Sequence, residues 1–298
     1  MGTSSSFKGQ SGDTPLIPSW LNDNDSLYNG TGGEPNASAE TQSVQNNIHP
    51  DPSQSPAQAN IPIPTIADRL RFTAARKNFS RYIKSGGDDR RSLGRAVSHY
   101  IGASLGGPRT AAIRLGSARV ASSRLISFLA DAVNRGADAA LKALNLDALV
   151  GLPIQEILVG LSDYICPDGG TIDEGIAREA FIETIVELSE EDITNLDELT
   201  GEQIQTVFEI YAAHTIEIRL YNDIGTNSIK LPHDEIEVER IQAQLNDFIR
   251  RGVSDALAAN KIPTASLTPD RVLQFVDEIY SQSYDILLNL CEAESEGV

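Results

Sequence analysis

From Pro64 onward apolar residues recur at steps of three and four, while the alternation expected of strands is almost missing. That spacing places one apolar stripe on each helix and dictates an all-α fold. Phe72, Ala75, Phe79 and Ile83 mark the first helix, which Ser85-Gly86-Gly87 stops. A second spans about 89 to 105 and ends at Gly106-Gly107. Pro108 suits a first helical turn, and the following RTAAIRLGSARVASSRLISFLADAV is rich in Ala, Gly and Ser, which let helices approach closely. The best strand signal is the short SIKL at 228–231, and no repeat of 20 to 50 residues points to a solenoid. The expected architecture is an irregular multi-helix bundle.

The acidic half carries clear helix starts. Thr171 with Glu174, and Thr200 with Gln203, read as capping boxes. The first precedes Ile172, Ile176, Ala180, Phe181, Ile185 and Leu188; the second precedes Ile204, Val207, Phe208 and Tyr211. Ile241, Leu245, Phe248, Ile249, Val253 and Leu257 stripe another helix, and Thr268-Pro269 opens the last.

Residues 1–64 differ in kind. Ser, Gly, Asn, Gln, Pro and Asp dominate them, and so few apolar side chains cannot offset the entropy of ordering a chain. A long disordered N-terminal tail is therefore expected ahead of a helical domain at 65–298. Within the tail, PLIPSWL gathers Pro15, Leu16, Ile17, Pro18, Trp20 and Leu21, including the only Trp. A Pro-flanked aromatic in such a segment suits docking into a partner's groove or folding back on its own bundle.

Charge is polarised along the chain. The tail has one Lys against six acidic residues, residues 65–145 have fifteen Lys and Arg against five, and residues 146–298 have eight against thirty-one. A basic helical segment thus precedes an acidic body, fitting internal packing or a protein partner ahead of nucleic acid. No apolar run approaches the roughly 20 residues of a membrane span, and only Cys166 and Cys291 occur, so a soluble cytoplasmic protein is expected.

No GxxxxGK[ST], HExxH, GxSxG or paired CxxC is present, so nothing specific points to catalysis, a metal or a cofactor. CPDGGT at 166–171 could present helix-terminal amides to an anion or activate the Cys166 thiol; the simpler reading is a turn with a Thr cap. Glu179, Glu183 and Glu187 fall on one helix face, read first as solvated. His99, His214 and His233 lack metal-ligand spacing. NDIGTNSIKLP at 222–232 reads as a connector, with a binding loop as the alternative. Arg109, Arg114, Arg119 and Arg124 recur every five residues, which turns each about 140° from the last and spreads them around a helix.

Taken in order, the tip Met1-Gly2-Thr3-Ser4, then RTAAIRLGSARVASSRL, ICPDGGTIDEGIAREAFIET, NDIGTNSIKLP and IQAQLNDFIRRGVSDAL resemble the protein B family of the Qat anti-phage defence system. The resemblance covers the tip and most of residues 107–257. It implies a bacterial operon that also encodes an ATPase, a QueC-like enzyme and a TatD-like nuclease, with the QueC-like enzyme as direct partner. It carries over no catalytic residues.

QueC enzymes activate the carboxylate of a 7-deazaguanine with ATP, and ammonia attacks the acyl adenylate. If another amine takes ammonia's place, Gly2 is the candidate acceptor. Its small side chain permits removal of Met1, and an α-amine, with a pKa near about 8, is far more often neutral at pH 7 than a Lys amine near about 10.4. Some 60 residues of tail span roughly 40 to 45 Å. Met1, Gly2, Thr3, Ser4 and the PLIPSWL residues are then the candidate partner-binding positions. The competing readings are a scaffold without modification, a nucleic-acid-binding subunit, and N-myristoylation, since Met1-Gly2 with Ser6 fits M-G-x-x-x-[ST].

Overall fold

A computed structural model of the chain describes residues 68–167, 169–189, 195–225, 234–260 and 267–296. All belong to the unit Pro62–Val298, and among them there is no strand. The SIKL segment lies outside the described residues. The helices are α1 (Asp68–Arg71), α2 (Thr73–Lys84), α3 (Arg90–His99), α4 (Pro108–Ile113), α5 (Ser117–Arg135), α6 (Ala137–Ala143), α7 (Ile154–Gly160), α8 (Ser162–Ile165), α9 (Ile172–Leu188), α10 (Gly201–Leu220), α11 (Glu235–Ala259) and α12 (Pro269–Glu296).

Local chemistry sets the boundaries. Asp89 caps α3 by accepting the Ser92 amide, and both predicted capping boxes form, Thr171 with Glu174 on α9 and Thr200 with Gln203 on α10. Pro108 occupies the first turn of α4 behind Gly107, whose φ of 95° favours glycine. The small-residue run that follows is not one helix. It breaks at Gly116 (φ 50°), where a Cβ would stand 2.6 Å from the Asp173 carboxylate of α9. Glycine there permits both the turn and the close approach of Asp173.

Two long helices organise the packing. α12 packs on α3, α4, α5 and α11, while α10 packs on α5, α9 and α11. They meet through aromatic rings: Phe208 of α10 lies 5.9 Å from Phe275 and 6.2 Å, edge-on, from Tyr280 of α12. All three rings are buried. The predicted stripe of α11, Ile241 to Leu257, is buried throughout. On α9 the stripe holds from Ile176 to Leu188, but Ile172, counted in it, is 70% exposed. Its place in the capped first turn lifts it clear of the core.

α5 uses its small residues as expected, with Ala118, Ala121, Ser122 and Ala132 buried. The Ser122 hydroxyl reaches both the Ala118 carbonyl and, at 2.9 Å, the Tyr280 hydroxyl. That bond anchors α5 to α12 without leaving a polar atom unpaired.

Because Phe208 bridges α10 to two rings of α12, Phe208→Ala is expected to cost about 3–5 kcal/mol of unfolding free energy. Urea denaturation followed by circular dichroism checks it; a loss below about 1 kcal/mol would show that the junction is not a packing centre.

Candidate functional site

The positions assigned to partner binding and modification, Met1, Gly2, Thr3, Ser4, Pro15, Leu16, Ile17, Pro18, Trp20 and Leu21, lie outside the described residues. The helical unit decides the remaining sequence-level candidates. The five-spaced arginines do not share a face. Arg119 makes a two-pronged ion pair with Asp277 of α12. Arg124 donates to the Tyr164 and Ile165 carbonyls at the end of α8. Arg109 is exposed at the start of α4. Such dispersal supplies structural pairing, not a phosphate-facing stripe.

The CPDGGT turn is held by guanidinium groups and by its cap. Arg178 donates to the Cys166 carbonyl (3.0 Å) and to Asp163 (2.7 Å). Cys166 is buried, its thiol donates to the Ala177 carbonyl at 3.4 Å, and the buried Tyr211 hydroxyl donates to the same carbonyl. Burial pushes the Cys166 thiol up to about 11, against weaker opposing influences from Tyr211, Arg178 and Arg124. A thiol so placed is a structural group and no nucleophile.

The Glu179–Glu183–Glu187 stripe divides. Glu187 turns inward between His214 of α10, at 2.9 Å from Nε2, and Arg250 of α11, which also holds Glu209 at 3.3 Å. The His214 hydrogen bond, aided by Arg250 and opposed by burial, keeps the Glu187 carboxyl below its ordinary range. Glu179 and Glu183 line a cavity of about 450 Å³ with Glu217 and Asn246. Glu217, only 8% exposed, accepts from Asn246 at 2.6 Å. Burial raises its pKa; Asn246 and His214 oppose this, and Glu183 and Glu187 add to it. Among the described residues no three His, Cys, Asp or Glu side chains could hold one metal ion.

One arrangement had no signal in the sequence. α3 and α10 each run on into a π-helical turn, Tyr100–Ser104 and Tyr221–Gly225. The two turns are tied by the Tyr100 hydroxyl donating to Asp223 at 2.9 Å, while Arg76 of α2 donates to the Asp223 carbonyl at 2.8 Å. Arg219 sits between Asp223 (3.2 Å) and Asp173 of α9. Burial works against the Arg219 charge, but Asp223 and Asp173 outweigh it and hold its pKa above the ordinary value. The first residues of the segment read as a connector belong to this turn, with Ile224 buried and Asn222 exposed; residues 226–233 lie outside the description. π-turns are frequent at functional sites, but this one is closed by internal partners.

A family model for Qat anti-phage system associated protein QatB matches residues 106–287. The chain belongs to the QatB family. It is a component of an anti-phage defence system. The match extends beyond the segments quoted above, through most of α12, and takes in Arg119, the Cys166 turn, the Glu187–His214–Arg250 cluster and Asp223; Tyr100 and Arg76 fall outside it. No curated protein and no solved structure matches the chain. No helix among the described residues is long and apolar enough to cross a membrane.

Two measurements test how this QatB family member is built. With the Cys166 pKa near 11 against an ordinary 9.0, thiolate at pH 8 is about a hundredfold scarcer. In a Cys291→Ala background, iodoacetamide labelling of Cys166 should accordingly be at least about a hundredfold slower in the native protein than in urea. Equal rates would mean an open thiol.

Glu217 carries the opposite sign to Glu187. Its folded pKa is raised, so its contribution is fully present below the unfolded carboxyl's pKa and is lost as pH rises through the folded value. Glu217→Gln mimics the protonated form. Its melting temperature relative to wild type should therefore rise more at pH 7.5 than at pH 4, and the reverse order would place Glu217 in an ion pair.

Proposed function

We propose that this chain is a non-catalytic component of the Qat defence system that binds a QueC-like enzyme and presents Gly2 for conjugation to a 7-deazaguanine. The observation that carries the reading is the joining of a Gly2 tip and a long polar tail to a body that belongs to the QatB family. A domain boundary near residue 64 goes with it, the tail acting as tether and the helices as the docking body. The setting is the bacterial cytoplasm, with the system's ATPase and TatD-like nuclease as further partners.

The chemistry balances as an amide-forming acyl transfer. The partner's ATP and the deazaguanine carboxylate give an acyl adenylate and pyrophosphate. With Met1 removed, the neutral Gly2 amine attacks the acyl carbon; the amide bond forms, AMP leaves, and the amine's proton passes to solvent or to a base on the partner. Glycine is suited to this because it brings no side chain into a narrow pocket, and because its α-amine is neutral more often than any Lys. The tip, Thr3, Ser4 and PLIPSWL would contact the partner, Trp20 serving as an apolar anchor.

The test is intact and N-terminal peptide mass after co-expression with the QueC-like enzyme, beside Gly2→Pro. Loss of Met1 with a deazaguanine-sized addition on Gly2, absent from the Gly2→Pro protein, is the expected result. An unmodified glycine beside an active partner would overturn conjugation and leave a scaffold; a fatty-acyl mass would signal myristoylation instead.

A further inference from the structure

A second cavity, of about 520 Å³, opens between the start of α3, α10 and α11. Its floor is apolar, made by the buried Leu93 and Phe248. Its rim carries three guanidinium groups, Arg90, Arg250 and Arg251, against two carboxylates, Glu209 and Asp247. Arg250 already holds Glu209, and Glu187 behind it. Arg251 lies 5.9 Å above the Phe248 ring and donates Nε to the Asp247 backbone carbonyl, and among the described residues it makes no ion pair. Arg90 makes no ion pair among the described residues either, and it stands in the first turn of α3, where helix amides favour negative charge.

The neutral groups lean the same way. Tyr82 donates its hydroxyl to Gln244 Oε1 at 3.2 Å, which fixes the amide and leaves Nε2 as a donor. Ser254 adds a hydroxyl. Donors without acceptors therefore outnumber acceptors around an apolar floor, where Arg90 of the basic segment meets α11 of the acidic body.

We infer that this cavity binds a phosphate monoester carried on a small apolar body, the chemistry of a nucleotide or of a 5′-phosphorylated strand end. Arg90 and Arg251 clamp the phosphate oxygens from opposite helices, Gln244 Nε2 and Ser254 take the remaining acceptors, and Leu93 with Phe248 receive the apolar body. The helical unit thus has a ligand site of its own, independent of what happens at Gly2.

Isothermal titration of the full chain with AMP, adenosine, inorganic phosphate and a short oligonucleotide with and without a 5′-phosphate tests this. AMP is expected to bind, adenosine and inorganic phosphate more weakly, and Arg90→Gln or Arg251→Gln to weaken AMP about tenfold or more. Arg109→Gln removes the same charge outside the cavity and should change nothing. Both clamp residues are exposed, so thermal melting should stay at the wild-type value in each variant. A 5′-phosphate-dependent gain for the oligonucleotide would assign the strand end as the source; AMP binding without that gain would assign a free nucleotide. No heat with either AMP or the phosphorylated strand overturns the inference, as does an equal loss in Arg109→Gln.

Discussion

Arg219 is the charge around which the helices are arranged. It is clamped by Asp173 from α9 and Asp223 from the turn that ends α10, and Asp223 in turn receives Tyr100 through its carboxylate and Arg76 through its carbonyl. Four separate stretches of chain converge on two residues. Taking a guanidinium out of water is tolerable only when such partners are all present, so the cluster is satisfied as a set. Its consequence reaches the backbone: Asp173 can reach Arg219 only because Gly116 leaves room beside it, and that glycine is also where α4 turns into α5.

The same logic explains the chain's uneven charge. The basic stretch from 65 to 145 partly neutralises the acidic body from within: Arg119 pairs with Asp277, Arg76 serves the Asp223 turn, and Arg124 closes the end of α8. The exchange also runs backwards, from Arg240 in the acidic half to Asp88 in the basic one, at 3.6 Å. Most of these pairs are partly exposed and contribute about 0–1 kcal/mol each. Their value lies in specifying which helices sit side by side, while the buried rings supply the larger share of stability.

Helices, caps and most core positions were legible because they depend on neighbours three or four residues away. The Thr171–Glu174 and Thr200–Gln203 boxes are local bonds, and the stripe from Ile241 to Leu257 is a local period. The two π-turns were not legible. They insert a residue into that period, and what stabilises them, the Tyr100–Asp223 bond, joins positions 123 apart. Glu187 shows the same limit: four-residue spacing put it on a carboxylate stripe with Glu179 and Glu183, but His214 and Arg250, from two other helices, draw it inward. The arginine spacing, read on one helix, does not carry across the break at Gly116; Arg119 and Arg124, both on α5, go to Asp277 and to the end of α8. As for a candidate site, the family resemblance placed it at Gly2, and no local pattern announced the cavity at Arg90 and Arg251, whose two sides lie on α3 and α11.

That cavity also bears on which anions the body can accept. Residues 146–298 carry a large excess of negative charge, and at physiological salt its field decays over about 8 Å. A polyanion lying across the surface would meet that field along its whole length, whereas a single phosphate seated between two guanidinium groups meets mainly the nearest charges. Repulsion from the body thus scales with the ligand's extent, and attraction from the clamp does not. An acidic body with a small arginine-lined cavity is therefore built to discriminate against the nucleic-acid backbone while retaining a terminal phosphate, and the selectivity comes from the surrounding charge as much as from the site itself.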